Sequence, residues 1–163
     1  ADRRKTGATI PREGAFLKEG EFMLYVLAIV QNADGKYLIT RRSLDKHWAA
    51  GWWEVTGGGV LAGETSEQAV RREMREEVGL DVGDQPLQPV YAYTNVDLER
   101  GDNYIVDIYH FHLNVGIEDI TLQDSEAIDC AFATWDEIQQ LADQGVFLHF
   151  SRLHQALEAE GAL

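Results

Sequence analysis

The stretch from Gly58 to Leu80, GGVLAGETSEQAVRREMREEVGL, places the strongest constraint on how this chain folds. It begins with glycines, which let the backbone turn sharply and approach a ligand closely. Thr65 and Gln68 have the spacing of an N-cap residue and its reciprocal partner in a capping box. Gly79 is the residue type that commonly ends a helix. The sequence therefore predicts a glycine-rich loop that leads into a single helix ending at Gly79.

Two faces of this helix differ in their chemistry. Its apolar positions recur at i, i+4 and i+8, at Val70, Met74 and Val78, which predicts packing on a core. Glu73, Glu76 and Glu77 stand at i, i+3 and i+4, so their carboxylates share one face. A solvated acidic face would show the same pattern. A hard divalent cation would instead turn the repulsion into coordination, and Mg²⁺ or Mn²⁺ suits oxygen ligands.

The spacing around these glutamates extends over the whole stretch. Gly58 is followed after five residues by Glu64, and after seven more by the run from Arg72 to Leu80, REMREEVGL. This pattern resembles the signature box of the Nudix hydrolases, with every fixed position filled. The resemblance implies an α/β fold, an α/β/α sandwich with a mixed β-sheet, in which the box (residues 58–80) forms a loop–helix–loop.

The resemblance also implies a metal site. Glu73, Glu76 and Glu77 would be the metal ligands for Mg²⁺ or Mn²⁺. Either Glu73 or Glu76 would also orient or deprotonate the attacking water. The backbone carbonyl of Gly57, just before the box, would complete the metal shell.

Other residues in and beside the box are expected to support this site. The resemblance implies that Arg72 pairs with Glu64 and holds the helix and the loop in register, so both belong to the catalytic group through a structural role. Gly58 and Gly59 lack a side chain, so substrate can come close to the backbone there.

Further candidates lie outside the box. Family members often recruit one more acid from a distant loop, for which Glu126 is the first candidate and Asp124 the second; either could equally be a solvated loop carboxylate. Arg41 and Arg42 end the second predicted strand, and alternation allows only one to face a cleft. We favour Arg42 as a clamp for a terminal phosphate, with a surface salt bridge as the alternative.

Aromatic and histidine residues are weaker candidates. One of Trp48, Trp52 and Trp53 could stack on a base, and Trp53 is taken as the substrate-binding candidate, although core or rim packing is the more common role for any single tryptophan. His110 and His112 share a strand face without a third ligand nearby in sequence, which favours a structural role over a zinc site.

Composition limits the partners. The net charge of −14 argues against binding of duplex nucleic acid, which needs a basic surface. It allows a small phosphorylated ligand, whose charge a metal neutralises locally. No apolar run is long enough to span a membrane. The single cysteine, Cys130, excludes an intramolecular disulfide, and we expect the protein in the reducing cytoplasm.

The chain order predicts an N-terminal arm, residues 1–20, and one hydrolase domain, residues 21–163. The arm is either a disordered tail or a segment packed across the domain or a partner chain. Strands are predicted at 23–31, 36–42, 51–55, 88–94, 103–115 and 127–134. Two further helices are predicted at 136–144, with Asp136 as its cap, and at 151–160.

The predicted function is metal-dependent hydrolysis of a phosphoanhydride bond by attack of water on phosphorus. The substrate would be a nucleoside diphosphate linked to another moiety, or a nucleoside triphosphate. A homodimer is common among Nudix proteins. Two alternatives remain open: a nucleotide-binding sensor without catalysis, and a protein like the isopentenyl-diphosphate isomerases. The second lacks support because residues 50–56 hold no catalytic cysteine.

Overall fold

The structure is a computed structural model that describes residues 3–11 and 14–163. Its strands are β1 (Met23–Gln31), β2 (Tyr37–Arg42), β3 (Trp53–Glu54), β4 (Thr56–Gly59), β5 (Tyr91–Asn95), β6 (Tyr104–His112) and β7 (Ala127–Ala133). Its helices are α1 (Ser66–Val78), α2 (Trp135–Asp143) and α3 (Phe150–Ala159), with a short 3₁₀ turn at Ile117–Asp119. Among the described residues, no helix is long and apolar enough to cross a bilayer.

The strands form one mixed sheet. Its main path runs β3-β2-β1-β6-β5, while β4 pairs with β1 and β7 pairs with β2. The pair β1–β6 is parallel over its whole length, from Met23 opposite Tyr104 to Gln31 opposite His112. The other pairings are antiparallel. Strand β1 is central and buried on both faces, which explains its nearly continuous apolar sequence.

Helices cover both faces of the sheet. On one face α1 buries Val70, Met74 and Val78 completely, each at 0% exposure, as its apolar stripe predicted. The opposite face packs against α2 and α3 through Ile138, Leu153 and Leu157. Alternation along β6 supplies both layers, since Tyr109 and Phe111 join the α1 side while Val106 and Ile108 join the other. The α/β/α sandwich with a mixed sheet is therefore confirmed.

Local capping fixes the ends of α1. The Thr65 hydroxyl oxygen accepts a hydrogen bond from the Gln68 backbone N–H at 3.1 Å, and the Gln68 side chain accepts one from the Thr65 N–H at 2.9 Å. Gly79 adopts φ +71°, a left-handed conformation that favours glycine. Both predicted caps are confirmed, so the box helix begins and ends where its sequence indicates.

Several element boundaries differ from prediction, three of them for a clear physical reason. Helix α2 is capped by Thr134, whose hydroxyl accepts from the Glu137 N–H, so the assignment of Asp136 as the cap was wrong. Strand β5 begins after Pro89, since proline cannot donate to the ladder. Strand β6 ends at His112 because its partner β1 ends at Gln31.

The last residues of the predicted arm, from Leu17 onward, pack on the domain. Leu17 is buried, and its N–H donates to the carbonyl of Gly101 at 2.9 Å. The buried Asn103 amide donates to the carbonyls of Lys18 and Glu21. Residues 1, 2, 12 and 13 of the arm lie outside the described residues, and the division at residue 20 stays a prediction.

Candidate active site

A cleft of about 780 Å³ opens where β4 meets α1, large enough for a nucleotide-sized ligand. Charged side chains line much of it: Glu54, Glu73, Glu76, Glu77 and Glu126, with Arg42, Lys46 and Arg72. Aromatic side chains line another part: Tyr25, Tyr93 and Tyr104 on the sheet, with Trp48 and His149. Most of the residues singled out in the sequence are thus brought together at one place.

Two glycines on β4 let the acidic helix lie against the sheet. Gly58 pairs with Val26 on β1, and any Cβ at Gly58 would overlap the Glu73 carboxylate. A Cβ at Gly57 would overlap the carbonyl oxygen of Val26. Only glycine therefore lets the Glu73 carboxylate lie against this strand.

Arg72 connects the helix, the loop and the carboxylates. Its Nε and Nη2 donate to the two oxygens of Glu64 at 2.8 and 3.0 Å, a bidentate pair. Nη2 also donates to the Gly59 carbonyl at 3.0 Å, and Nη1 donates to Glu73 at 2.9 Å and Glu76 at 3.2 Å. The Arg72 guanidinium lowers the pKa of Glu64. The expected Arg72–Glu64 pair is present, and Arg72 also orients two of the candidate metal ligands.

Glu77 is the most perturbed carboxyl group of the cleft. Burial, followed by the nearby charges of Glu73 and Glu54, raises the pKa of Glu77 to about 9. The interaction with Glu73 raises this pKa further, whereas the interaction with the backbone of Gly57 lowers it and partly offsets the shift. Without a cation, this group must hold a proton near neutral pH. A divalent cation would supply the missing positive charge, so an oxygen-rich, glycine-backed site of this kind fits Mg²⁺ or Mn²⁺.

The glutamates are close together, but Arg72 rather than a cation orients two of them. In the described part of the chain, no three acidic, histidine or cysteine side chains already have the arrangement of a metal site. Glu76 is exposed over about half of its side chain, at 52%, and contacts Arg72 at 3.2 Å. The donor set fits a hard cation, although its final coordination geometry is not preformed.

Glu54 is a cleft residue that the sequence analysis missed. It lies on β3 opposite Thr40, and its side chain is 19% exposed. Arg42 donates to it at 3.0 Å, while burial raises the pKa of Glu54. One signal for it exists in the sequence: a single acid within the aromatic and aliphatic run GWWEV, directly before the glycines.

The two downstream acids differ in position. Glu126 lines the cleft, where its carboxylate contacts the Lys46 ammonium at 2.5 Å. Asp124 is exposed and is not among the residues of the cleft wall. The geometry therefore favours Glu126, the first of the two candidates.

The two arginines at the end of β2 diverge, as alternation requires. Arg42 lines the cleft, and two of its nitrogens donate to the carbonyl of Trp48 at 3.1 and 3.3 Å. Arg41 instead donates to the carbonyl of Gly51 at 2.9 Å and lies outside the cleft wall. The structure thus supports Arg42, and it argues against the predicted role of Arg41 in substrate binding.

Trp53 and His110 make their contacts outside the cleft. Trp53 packs against the core on the α2 side and does not line the cleft, which argues against its predicted contact with substrate. Trp48 is the tryptophan at the cleft, 61% exposed. His110 is bonded to Glu160 at 2.6 Å and to Gln31 at 2.9 Å, which agrees with the structural role expected for it.

Comparisons with known proteins agree with this fold and site. A protein-family model described as the NUDIX domain matches residues 21–153. The chain is 32% identical over 162 residues to an uncharacterized Nudix hydrolase of Listeria monocytogenes, covering 99% of this chain and 92% of that protein. A 54-residue segment is 46% identical to the nucleoside triphosphatase NudI of Enterobacter sp. (strain 638), covering 33% of this chain and 38% of NudI.

A solved structure agrees as well. The NUDIX hydrolase from Nitrosomonas europaea superposes with a TM-score of 0.66 at 22% identity, covering 87% of this chain and 90% of that one. The present chain therefore belongs to the Nudix hydrolase family, which confirms the resemblance seen in the box.

Proposed function

We propose that this protein is a metal-dependent pyrophosphohydrolase that cleaves a phosphoanhydride bond of a nucleotide by attack of water on phosphorus. The observation that carries the proposal is the buried pair of Glu77 and Glu73 beside the β4 glycines, inside a nucleotide-sized cleft, because these two carboxyl groups do not both ionise near neutral pH without further positive charge. Such a cluster repels an anionic substrate unless cations are present. A cation that neutralises these carboxylates therefore also allows the cleft to bind a phosphate.

Glu73, Glu76 and Glu77, together with the Gly57 carbonyl, are the residues we propose to hold Mg²⁺ or Mn²⁺. The chemistry that a bound cation supplies here is neutralisation of phosphate charge and a lower pKa for attacking water. Arg72 holds Glu73 and Glu76 near the glycine strand. We propose that one of these two glutamates, or Glu126, accepts a proton from water.

Arg42 and the tyrosine wall define the proposed substrate contacts. The Arg42 guanidinium faces the cleft from the end of β2 and suits a phosphate oxygen pair. Tyr25 and Tyr93 both contact Tyr104 edge-on, at centroid distances of 5.7 and 6.5 Å, which provides an aromatic surface for a base. The name of the NudI relative, nucleoside triphosphatase, agrees with this substrate class. A cytoplasmic location and a homodimer stay predictions.

A substrate panel tests this proposal. Nucleoside triphosphates, nucleotide sugars, ADP-ribose and coenzyme A are incubated with Mg²⁺ or Mn²⁺, and phosphate or pyrophosphate release is measured. We expect turnover of one class that requires metal and is lost in Glu77→Gln. Glu99→Gln, which removes an exposed carboxylate outside the cleft, is the matched control. Tight binding of a nucleotide without any turnover would reject hydrolysis and favour a sensor.

A further inference from the structure

Arg42 and Lys46, the two basic residues of the described cleft lining that lie outside the box, are already paired with glutamates. Arg42 contacts Glu54 at 3.0 Å, and Lys46 contacts Glu126 at 2.5 Å. All four side chains line the cleft. An anionic ligand must therefore compete with protein carboxylates for whichever cation it uses.

The two pairs differ in how firmly they are held. Arg42 also donates twice to the Trp48 carbonyl, and its guanidinium lies over the Trp48 ring at 5.5 Å from the centroid. Lys46 donates from its side chain to Glu126 alone among the described residues. The side chains of Lys46 and Glu126 are 26% and 41% exposed, and ion pairs this exposed are weak. Lys46 is thus the more easily exchanged cation.

The backbones around the Lys46–Glu126 pair are fixed to each other. Ser43 donates its N–H to the Glu126 carbonyl at 3.1 Å, and Lys46 donates its N–H to the Ser43 carbonyl at 3.2 Å. Breaking the ion pair therefore requires rotation of two side chains rather than a loop movement. Lysine carries a compact charge on a flexible stem, which suits such an exchange.

The three basic residues of the cleft differ in how many contacts a phosphate would have to break to use them. Among the described residues that line it, six are acidic and three are lysine or arginine: Glu54, Glu73, Glu76, Glu77, Asp102 and Glu126 against Arg42, Lys46 and Arg72. Arg72 is engaged by four acceptor groups on the box side, and Arg42 is held by Trp48 and Glu54. Lys46 is therefore the cation that a phosphate can recruit at the smallest cost in broken contacts.

We propose that Lys46 exchanges partners when substrate binds: a phosphate group takes the ammonium from Glu126, and the released Glu126 carboxylate joins the acidic side of the cleft. This inference rests on the proposed function for its anionic ligand and its divalent cation. In this proposal Lys46 determines the specificity for phosphate, and it also positions the Glu126 carboxylate. Binding of phosphate and binding of the cation favour each other, because the first frees a carboxylate for the second.

The exchange makes an unusual prediction for Lys46→Met without any substrate. Removal of the ammonium frees Glu126 permanently, so Mg²⁺ should bind at least about fivefold more tightly, as measured by calorimetry. The same substitution should weaken binding of inorganic phosphate, because the recruited cation is gone. Lys46→Arg should retain phosphate binding. Lys36→Met, in the exposed turn between β1 and β2, is the matched control and should change neither constant.

A double mutant separates this exchange from a general charge effect. In a Glu126→Gln background, Lys46→Met should no longer tighten Mg²⁺ binding, since there is no carboxylate to release. An equal gain in both backgrounds, no gain at all, or a loss of Mg²⁺ affinity in Lys46→Met would each overturn the proposal. Circular dichroism and Tm confirm that each variant is folded. Because the readouts are binding constants, absence of turnover would reject the hydrolase while leaving the exchange supported.

Discussion

Glu77→Gln should stabilise the metal-free protein above neutral pH. The substitution replaces a buried carboxyl group, which must keep its proton in the folded state, by a neutral amide of similar size. Its folded pKa is about 9, against an ordinary value of 4.5. At any pH between these two pKa values, the folded state still binds a proton that the unfolded state has released. The free energy of unfolding of the wild type therefore decreases as pH rises through this window.

The size of the effect follows from the shift. Each pH unit inside the window lowers the free energy of unfolding by about 1.4 kcal/mol. At pH ~7 the free energy of unfolding of the wild type is up to ~3 kcal/mol lower than at low pH, since pH ~7 lies about 2.5 pH units above the ordinary carboxyl pKa. Glu77→Gln does not titrate, so this contribution to the pH slope is absent in the mutant. Mg²⁺ should reverse the loss in the wild type and should stabilise the mutant much less.

Urea unfolding in EDTA, from about pH 5 to about pH 8.5, measures this difference directly. The two proteins should have similar stability at the acid end, and the mutant should be more stable at the alkaline end. A second series with saturating Mg²⁺ should bring the wild type to or above the mutant. Parallel pH slopes, or a mutant that is less stable at about pH 8, would refute the assignment of Glu77 as the buried, protonated member of the cluster.

Three further predictions concern the box. Arg72→Ala should lower the free energy of unfolding by about 3 kcal/mol and reduce turnover, because it leaves Glu64 and Glu73 without their shared cation. Arg72→Lys should recover little of either quantity. Denaturation and kinetic measurements test both variants. Gly58→Ala should abolish metal-dependent turnover, since its methyl group overlaps the Glu73 carboxylate, whereas circular dichroism should stay that of a folded protein. Thr65→Ala should cost about 1 kcal/mol through the lost cap, equally with and without Mg²⁺; a metal-dependent loss would contradict a purely local role.

The box was predictable because its determinants are local. The cap at Thr65, the stop at Gly79 and the apolar stripe lie within one helix, and helical spacing fixes their relation. The Arg72–Glu64 pair follows from the family resemblance, and the structure contains it. The mixed sheet and its two helical layers were likewise confirmed.

The outer wall of the cleft was less accessible from sequence. Glu54 enters through the pairing of a two-residue strand with Thr40, a register that no periodic pattern reveals. The same short strand turns Trp53 toward the α2 side. Lys46 and Glu126 are 80 positions apart, so their contact depends on how β7 pairs with β2. These features depend on long-range pairing, which hydrophobic periodicity does not specify.

Helix α1 carries core and cleft residues side by side, with Met74 next to Glu73 and Val78 next to Glu77. A single inserted residue would rotate everything beyond it by about 100° around the axis, since one turn takes about 3.6 residues. The insertion would expose apolar side chains, bury carboxylates and displace Gly79 from its cap together. The distance along the chain from Thr65 to Gly79 is therefore fixed. This helix tolerates substitution at exposed positions such as Arg75, whereas a change of one residue in its length would disturb the core, the cleft and the cap at once.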